Sequence, residues 1–179
     1  RMIIPRQKVP DLNISLLDQE KYILSSQTKG KFNLLVFYRG LHCPLCLDYL
    51  TELKYLTYEF FKRKTKIIAI SSDNEDRAQQ MYNKIGRPDF PIGYNLPLST
   101  ASAWGLYISE GRGKTSVGIE EPAKFSEPGV FIIRTDQTLY YANIQTMVFA
   151  RPSFKGLLQA LDFAIEKNYP ARGEYVENF

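Results

Sequence analysis

The sequence predicts an α/β protein with a central mixed β-sheet flanked by helices and an N-terminal β-hairpin. Three observations predict it. Residues 32–38 (FNLLVFY) form a nearly continuous apolar run, the pattern of a strand buried on both faces of a sheet. Directly after it Cys46, Leu50, Leu53, Leu56 or Thr57, and Phe60 recur at spacings of three and four, which marks a helix with one face turned inward. A second apolar run then follows at 66–71 (KIIAIS), and a strand–helix–strand order with short connections implies a parallel pair joined by a right-handed crossover.

The remaining elements follow in order. Residues 12–17 and 22–24 are short strand candidates separated by Asp18, Gln19 and Glu20, which suggests the N-terminal hairpin. Lys62, Arg63, Lys64 and Lys66 close the first helix, where cations complement the negative end of its dipole. Asp73 is the expected N-cap of a second helix that runs to about Lys84 and ends at Gly86. The stretch 87–97, rich in Pro, Gly and Asp, reads as loop, and Ser99 or Thr100 caps a short helix through Trp104, terminated by Gly105. Two strands are expected at 130–133, entered through Pro128 and Gly129, and at 139–146, joined by the turn Thr135-Asp136-Gln137-Thr138. A last helix starts near Ser153, turns Leu157, Leu158, Leu161, Ala164 and Ile165 inward, and ends at Lys167 before Asn168, Tyr169 and Pro170. The tail reads as irregular. No internal repeat and no linker divides the sequence, so 1–179 is expected to be a single domain.

Composition excludes several classes. With 179 residues, 44% hydrophobic and 13% aromatic, the chain can bury a full core without disulfide staples, and disorder is not indicated. The net charge of +4 comes from dispersed Lys and Arg, with the one short cluster at a helix end, so no nucleic-acid partner is expected. No apolar segment has the length of a membrane span, and the first ten residues lack the apolar core and cleavage site of a secretory signal. A cytoplasmic protein without a membrane partner is the expectation.

The chemistry concentrates in Phe37-Tyr38-Arg39-Gly40-Leu41-His42-Cys43-Pro44-Leu45-Cys46, which places both cysteines of the chain in a C-x-x-C at a strand-to-helix junction. A thiol at the first turn of a helix meets unpaired N–H groups and the positive end of the dipole, and both favour thiolate, the reactive form. Pro44 suits the first helical position, where its missing N–H costs nothing. Cys43 and Cys46 then stand within bridging reach and are expected to form a reversible disulfide. Two structural cysteines packed as small hydrophobes are the bland alternative. One C-x-x-C and one histidine fall short of the four ligands of a structural zinc site, so no metal and no cofactor is expected. His42, next to Cys43, acts as an imidazolium that acidifies the thiol or as a neutral base, or else is an exposed loop-tip residue.

Residues 109–127 form a long polar connection, read as a lid or flexible rim with Arg112 and Lys114 available to an anionic partner, or as a plain solvated loop. Gly113-Lys114-Thr115 matches the end of a phosphate-binding P-loop, but Ile108 stands where that motif needs its first glycine, and nucleotide binding is not expected.

From the FYRG-x-x-CPLC segment the chain resembles the peroxiredoxin-like AhpC/TSA (alkyl hydroperoxide reductase/thiol-specific antioxidant) family, within the thioredoxin-like superfamily. The resemblance extends through Ile70-Ser71-Ser72-Asp73, Ala103-Trp104-Gly105-Leu106-Tyr107, Glu127-Pro128-Gly129-Val130-Phe131, and Phe149-Ala150-Arg151-Pro152 to the C-terminal Tyr169-Pro170-Ala171-Arg172-Gly173-Glu174. It implies a thioredoxin-like fold and a thiol-dependent antioxidant oxidoreductase with peroxide as oxidant and an external thiol reductant, thioredoxin- or glutathione-like, and a possible homodimer. The family's two registers disagree over the cysteines. In the peroxiredoxin pattern P-x-x-x-T-x-x-C, Cys46 takes the position of the peroxidatic cysteine, Cys43 replaces the threonine and Arg39 the proline. In the thioredoxin register Cys43 is the exposed attacking thiol, Cys46 resolves, and Pro128 is the proline whose preceding bond is cis and faces the pair. The expectation follows the second register: Cys43 attacks as the more exposed and more acidic thiol, and the Glu127–Pro128 bond is cis. For a peroxide, donors must stabilise the departing oxygen, and Arg39, Arg151 and backbone N–H groups are the candidates. The rivals are a thioredoxin-type protein-disulfide reductase and a non-catalytic redox-sensing or interaction module.

Overall fold

The computed structural model describes residues 2–178. Strand β3 (Phe32–Phe37) lies in the interior of the sheet and is buried at all six positions, since both faces of the sheet around it are covered. Its alternate residues feed two cores. Phe32, Leu34 and Val36 face α1 (Pro44–Lys62), α2 (Glu75–Ile85) and α4 (Phe154–Lys167), while Leu35 and Phe37 face Trp104, the N-terminal hairpin and α3 (Leu98–Ala103). Each fully buried Leu or Phe in these cores contributes about 2 kcal/mol by leaving water.

The seven-stranded sheet runs β2-β1-β5-β4-β3-β8-β9, where β1 is Asn13–Leu16, β2 Lys21–Ile23, β4 Thr65–Ile70, β5 Ile92–Tyr94, β8 Gly129–Arg134 and β9 Leu139–Ile144. β3, β4 and β5 are parallel, and β8, β9 and the hairpin are antiparallel to their neighbours, so the sheet is mixed as expected. A separate two-stranded hairpin pairs β6 (Ile108–Glu110) with β7 (Lys124–Ser126).

The differences from the sequence reading lie at short or capped elements. Asp73 does not cap α2. Asn74 does, its side chain accepting from Arg77 N–H, because the Asp73 carboxylate turns inward to accept the Leu41 N–H at 2.7 Å. α3 has no side-chain cap, and its N-cap is Pro97. The stretch 87–97 holds the three-residue β5, too short and glycine-containing to register as a strand pattern. The 109–127 connection is no open lid: β6 and β7 pair through it and the bridge Lys114–Glu120 closes its tip.

Candidate active site

The cysteines sit where β3 ends and α1 begins, at the end of the sheet to which the parallel strands point. Gly40 makes this junction possible. Its φ of +144° is open to glycine, and a Cβ there would come within 2.8 Å of the buried Asp73 carboxylate. Cys43 is the N-cap of α1, Pro44 follows at its first position, and the Cys43 sulfur accepts the Cys46 N–H at 3.2 Å. Both thiols are free and almost completely inaccessible, Cys43 at 3% and Cys46 at 0% exposure.

Arg151 reaches this pair from the segment before α4. Its Nη2 lies 2.8 Å from Cys46 Sγ, and its Nε donates to the Val148 carbonyl at 2.9 Å. The guanidinium also lies 4.8 Å from the centre of the Tyr49 ring, and the Tyr49 hydroxyl donates to Pro152 O at 2.6 Å. Tyr49 stacks on Phe154, so α1 and α4 together fix the arginine.

These contacts divide the thiols. Burial opposes ionisation of Cys46, but a hydrogen bond from Cys43, the charge and hydrogen bond of Arg151, and the Arg39 backbone N–H outweigh it and lower the Cys46 pKa. Cys43 moves the other way: its hydrogen bond to Cys46 and its own burial push its thiol far up. A thiolate on Cys46 accepts a hydrogen bond from the protonated Cys43. Cys43 remains the slightly more exposed sulfur, as expected, but the acidity runs the other way, towards Cys46. Helix-start position decides less than which sulfur meets the guanidinium.

His42 is neither an exposed tip residue nor an imidazolium. It is completely buried against Phe125, with ring centres 4.7 Å apart, and neither ring nitrogen has a hydrogen-bond partner. Burial pushes its pKa down to about 4, so it is neutral at pH 7 and lends the thiols no positive charge. The Arg39 side chain is engaged elsewhere: Nε and Nη2 donate to the two Glu127 oxygens at 2.7 and 3.1 Å, and Ser109 Oγ donates to Glu127 Oε2 at 2.6 Å. The Arg39 backbone N–H serves Cys46 directly, whereas its guanidinium, held by Glu127, acts on the two thiols only through its charge.

Pro128 lies at this same end of the sheet, because Gly129 pairs with Phe37. The Glu127–Pro128 bond is trans, since no peptide bond among the described residues is cis. The cis bond that the thioredoxin register implied is therefore not found. Sequence reasoning missed Glu127, Ser109 and Tyr49. Glu127 carried one signal, a carboxylate between Phe125-Ser126 and Pro128-Gly129 in a stretch otherwise suited to burial. No group of three or more metal-ligating side chains occurs among the described residues.

A model of the AhpC/TSA family matches residues 5–142. The chain belongs to the AhpC/TSA family. Solved structures similar to it include a cysteine-to-serine mutant of the peroxiredoxin 6 of Arenicola marina, at 19% identity and a TM-score of 0.77, covering 93% of this chain and 76% of that one. The peroxidoxin BcpB of Mycobacterium tuberculosis matches at 19% identity and 0.70, covering 90% and 97%. Enterococcus faecalis AhpC matches at 16% identity and 0.71, covering 99% and 100%. These likenesses establish the fold as thioredoxin-like. No curated protein matches the sequence.

Within this AhpC/TSA chain the family match ends before Arg151, so the arginine on Cys46 comes from outside the matched segment. A larger cleft of about 720 Å³, lined in part by Phe61, Thr65 and Phe90, opens at the opposite end of the sheet, because β4 starts at Thr65 there. Among the described residues no helix is long and apolar enough to cross a membrane.

Proposed function

We propose that the protein is a thiol-dependent peroxidase in which Cys46 attacks and Cys43 resolves. The observation that carries this reading is the 2.8 Å contact between Arg151 Nη2 and Cys46 Sγ. One guanidinium there supports two tasks, holding the sulfur as thiolate and donating to the oxygen that leaves. The Cys46 thiolate attacks the terminal oxygen of ROOH, the O–O bond breaks, Cys46 becomes a sulfenic acid, and the departing RO⁻ takes a proton to leave as ROH. The Cys43 thiol then attacks the Cys46 sulfur, releasing water and forming the Cys43–Cys46 disulfide. An external thiol, thioredoxin- or glutathione-like, returns the pair to the dithiol.

A protein-disulfide reductase is disfavoured by burial. Its attacking sulfur must reach a disulfide on another chain, whereas both sulfurs here are almost fully covered and the more acidic one is the deeper. A peroxide is small enough to reach such a site. The test is stoichiometric: one equivalent of hydrogen peroxide should remove both alkylatable thiols, with a mass loss of two hydrogens, and a supplied dithiol should sustain turnover. Two thiols that survive excess peroxide would contradict the reading, and so would reduction of protein disulfides at a higher rate than any peroxide.

A further inference from the structure

Beside Arg151 the surface sinks into a shallow pouch of about 440 Å³. Its wall is apolar, made by Leu45 and Tyr49 from the start of α1 and by Val148, Phe149 and Pro152 from the segment before α4. Two carboxylates, Asp48 and Glu52, close its rim. They lie four residues apart on one side of α1, both exposed, and neither is in an ion pair or side-chain hydrogen bond among the described residues. The one cation lining the pouch, Arg151, is committed to Cys46 Sγ, to the Val148 carbonyl and to the Tyr49 ring. A chain of net charge +4 thus presents an unbalanced negative rim beside the arginine that contacts its candidate nucleophile.

We infer that this pouch seats the organic arm of a hydroperoxide and that Asp48 and Glu52 make the enzyme selective for uncharged or cationic hydroperoxides over those whose arm carries a nearby carboxylate. The inference rests on the peroxidase reading of Cys46. An apolar arm gains by leaving water against Leu45, Tyr49 and Val148 while its O–O group meets the arginine. A carboxylate on that arm meets two like charges with no free cation to offset them. At separations of about 6–8 Å in a water-exposed rim the two repulsions together change kcat/KM by roughly three- to tenfold, with the lower figure at physiological salt.

The probes are cumene hydroperoxide bearing a para-carboxylate and the methyl ester of the same compound, with hydrogen peroxide as a third substrate. At pH 7.5 and low salt the wild-type protein should turn over the ester with a kcat/KM about three- to tenfold above that of the acid. Raising the salt to about 0.5 M should shrink the ratio. The doubly substituted Asp48→Asn, Glu52→Gln protein should bring it to within about twofold of unity, and the salt series on the wild type gives an independent reading should that variant misfold. Turnover of hydrogen peroxide with equal rates for acid and ester, or with neither organic substrate accepted, overturns this inference while the peroxidase reading stands. No turnover of any of the three overturns both.

Discussion

In the proposed mechanism Arg151 decides which sulfur reacts, through one contact that local sequence spacing does not reveal. It stands 105 residues from Cys46 in the chain, and its place in a Phe-Ala-Arg-Pro segment gives no geometric hint of its partner. What local spacing does show is the thiol pair itself, the helix start and Pro44. Replacing Arg151 by Met removes a charge-assisted bond of about 2 kcal/mol, so the Cys46 thiolate should titrate at higher pH and react with hydrogen peroxide about thirtyfold more slowly. Thiolate absorbance near 240 nm against pH reads the first effect. In the wild type one thiol should ionise below the ordinary cysteine value of about 8.5, and an unchanged midpoint in the variant would remove Arg151 from the account.

His42 supplies a second residue-scale test, through pH. Its folded pKa of about 4 lies below the ordinary value of 6.5, so between those limits the unfolded chain binds more protons than the folded one. Stability is then complete above about pH 6.5 and falls as the pH drops towards 4, by up to about 3 kcal/mol. A His42→Phe protein should lose that part of the slope. Urea midpoints at pH 7 and pH 5 measure it, and equal slopes in the two proteins would show that the histidine charges freely in the fold. The buried, partnerless state of this side chain was illegible in sequence, where a lone histidine beside a cysteine reads equally well as catalyst or as surface.

At the scale of elements, long apolar periodicity was legible and short pairing was not. β3, α1, β4 and α4 follow from runs and spacings that admit one packing face or two. β5 and the β6–β7 hairpin, at three residues per strand, owe their form to partners elsewhere in the chain. The junction between β3 and α1 depends on Gly40 and Asp73 in the same way. A Gly40→Ala substitution forces a Cβ onto the Asp73 carboxylate in a backbone region that alanine avoids. It should cost about 2 kcal/mol and lower Tm by about 4–8 °C, and a Tm within about 1 °C of wild type would show that the junction is looser than its geometry.

For the whole molecule, the architecture follows from an interior strand buried on two faces, and the family from motifs spread along the chain. The direction of the redox chemistry came from neither, because the two registers of the superfamily place the same C-x-x-C differently and only the fold shows which thiol the arginine meets. The two-sided core also predicts a hierarchy of local stability. Amides of β3, β4 and β8 should be the slowest to exchange with solvent, and those of 111–123 among the fastest. Hydrogen exchange resolved by residue tests this, and rapid exchange at Leu35 or Ile132 would contradict it.

The central claim is that Cys46 is the thiol that meets peroxide, and trapping the first oxidised species tests it most directly. Each single Cys→Ser protein is treated with one equivalent of hydrogen peroxide in the presence of dimedone, and the labelled peptide is located by mass spectrometry. The account predicts a dimedone adduct on Cys46 in the Cys43→Ser protein and little or none in the Cys46→Ser protein. An adduct on Cys43 of the Cys46→Ser protein, formed at a rate equal to or above that of its counterpart, would contradict it.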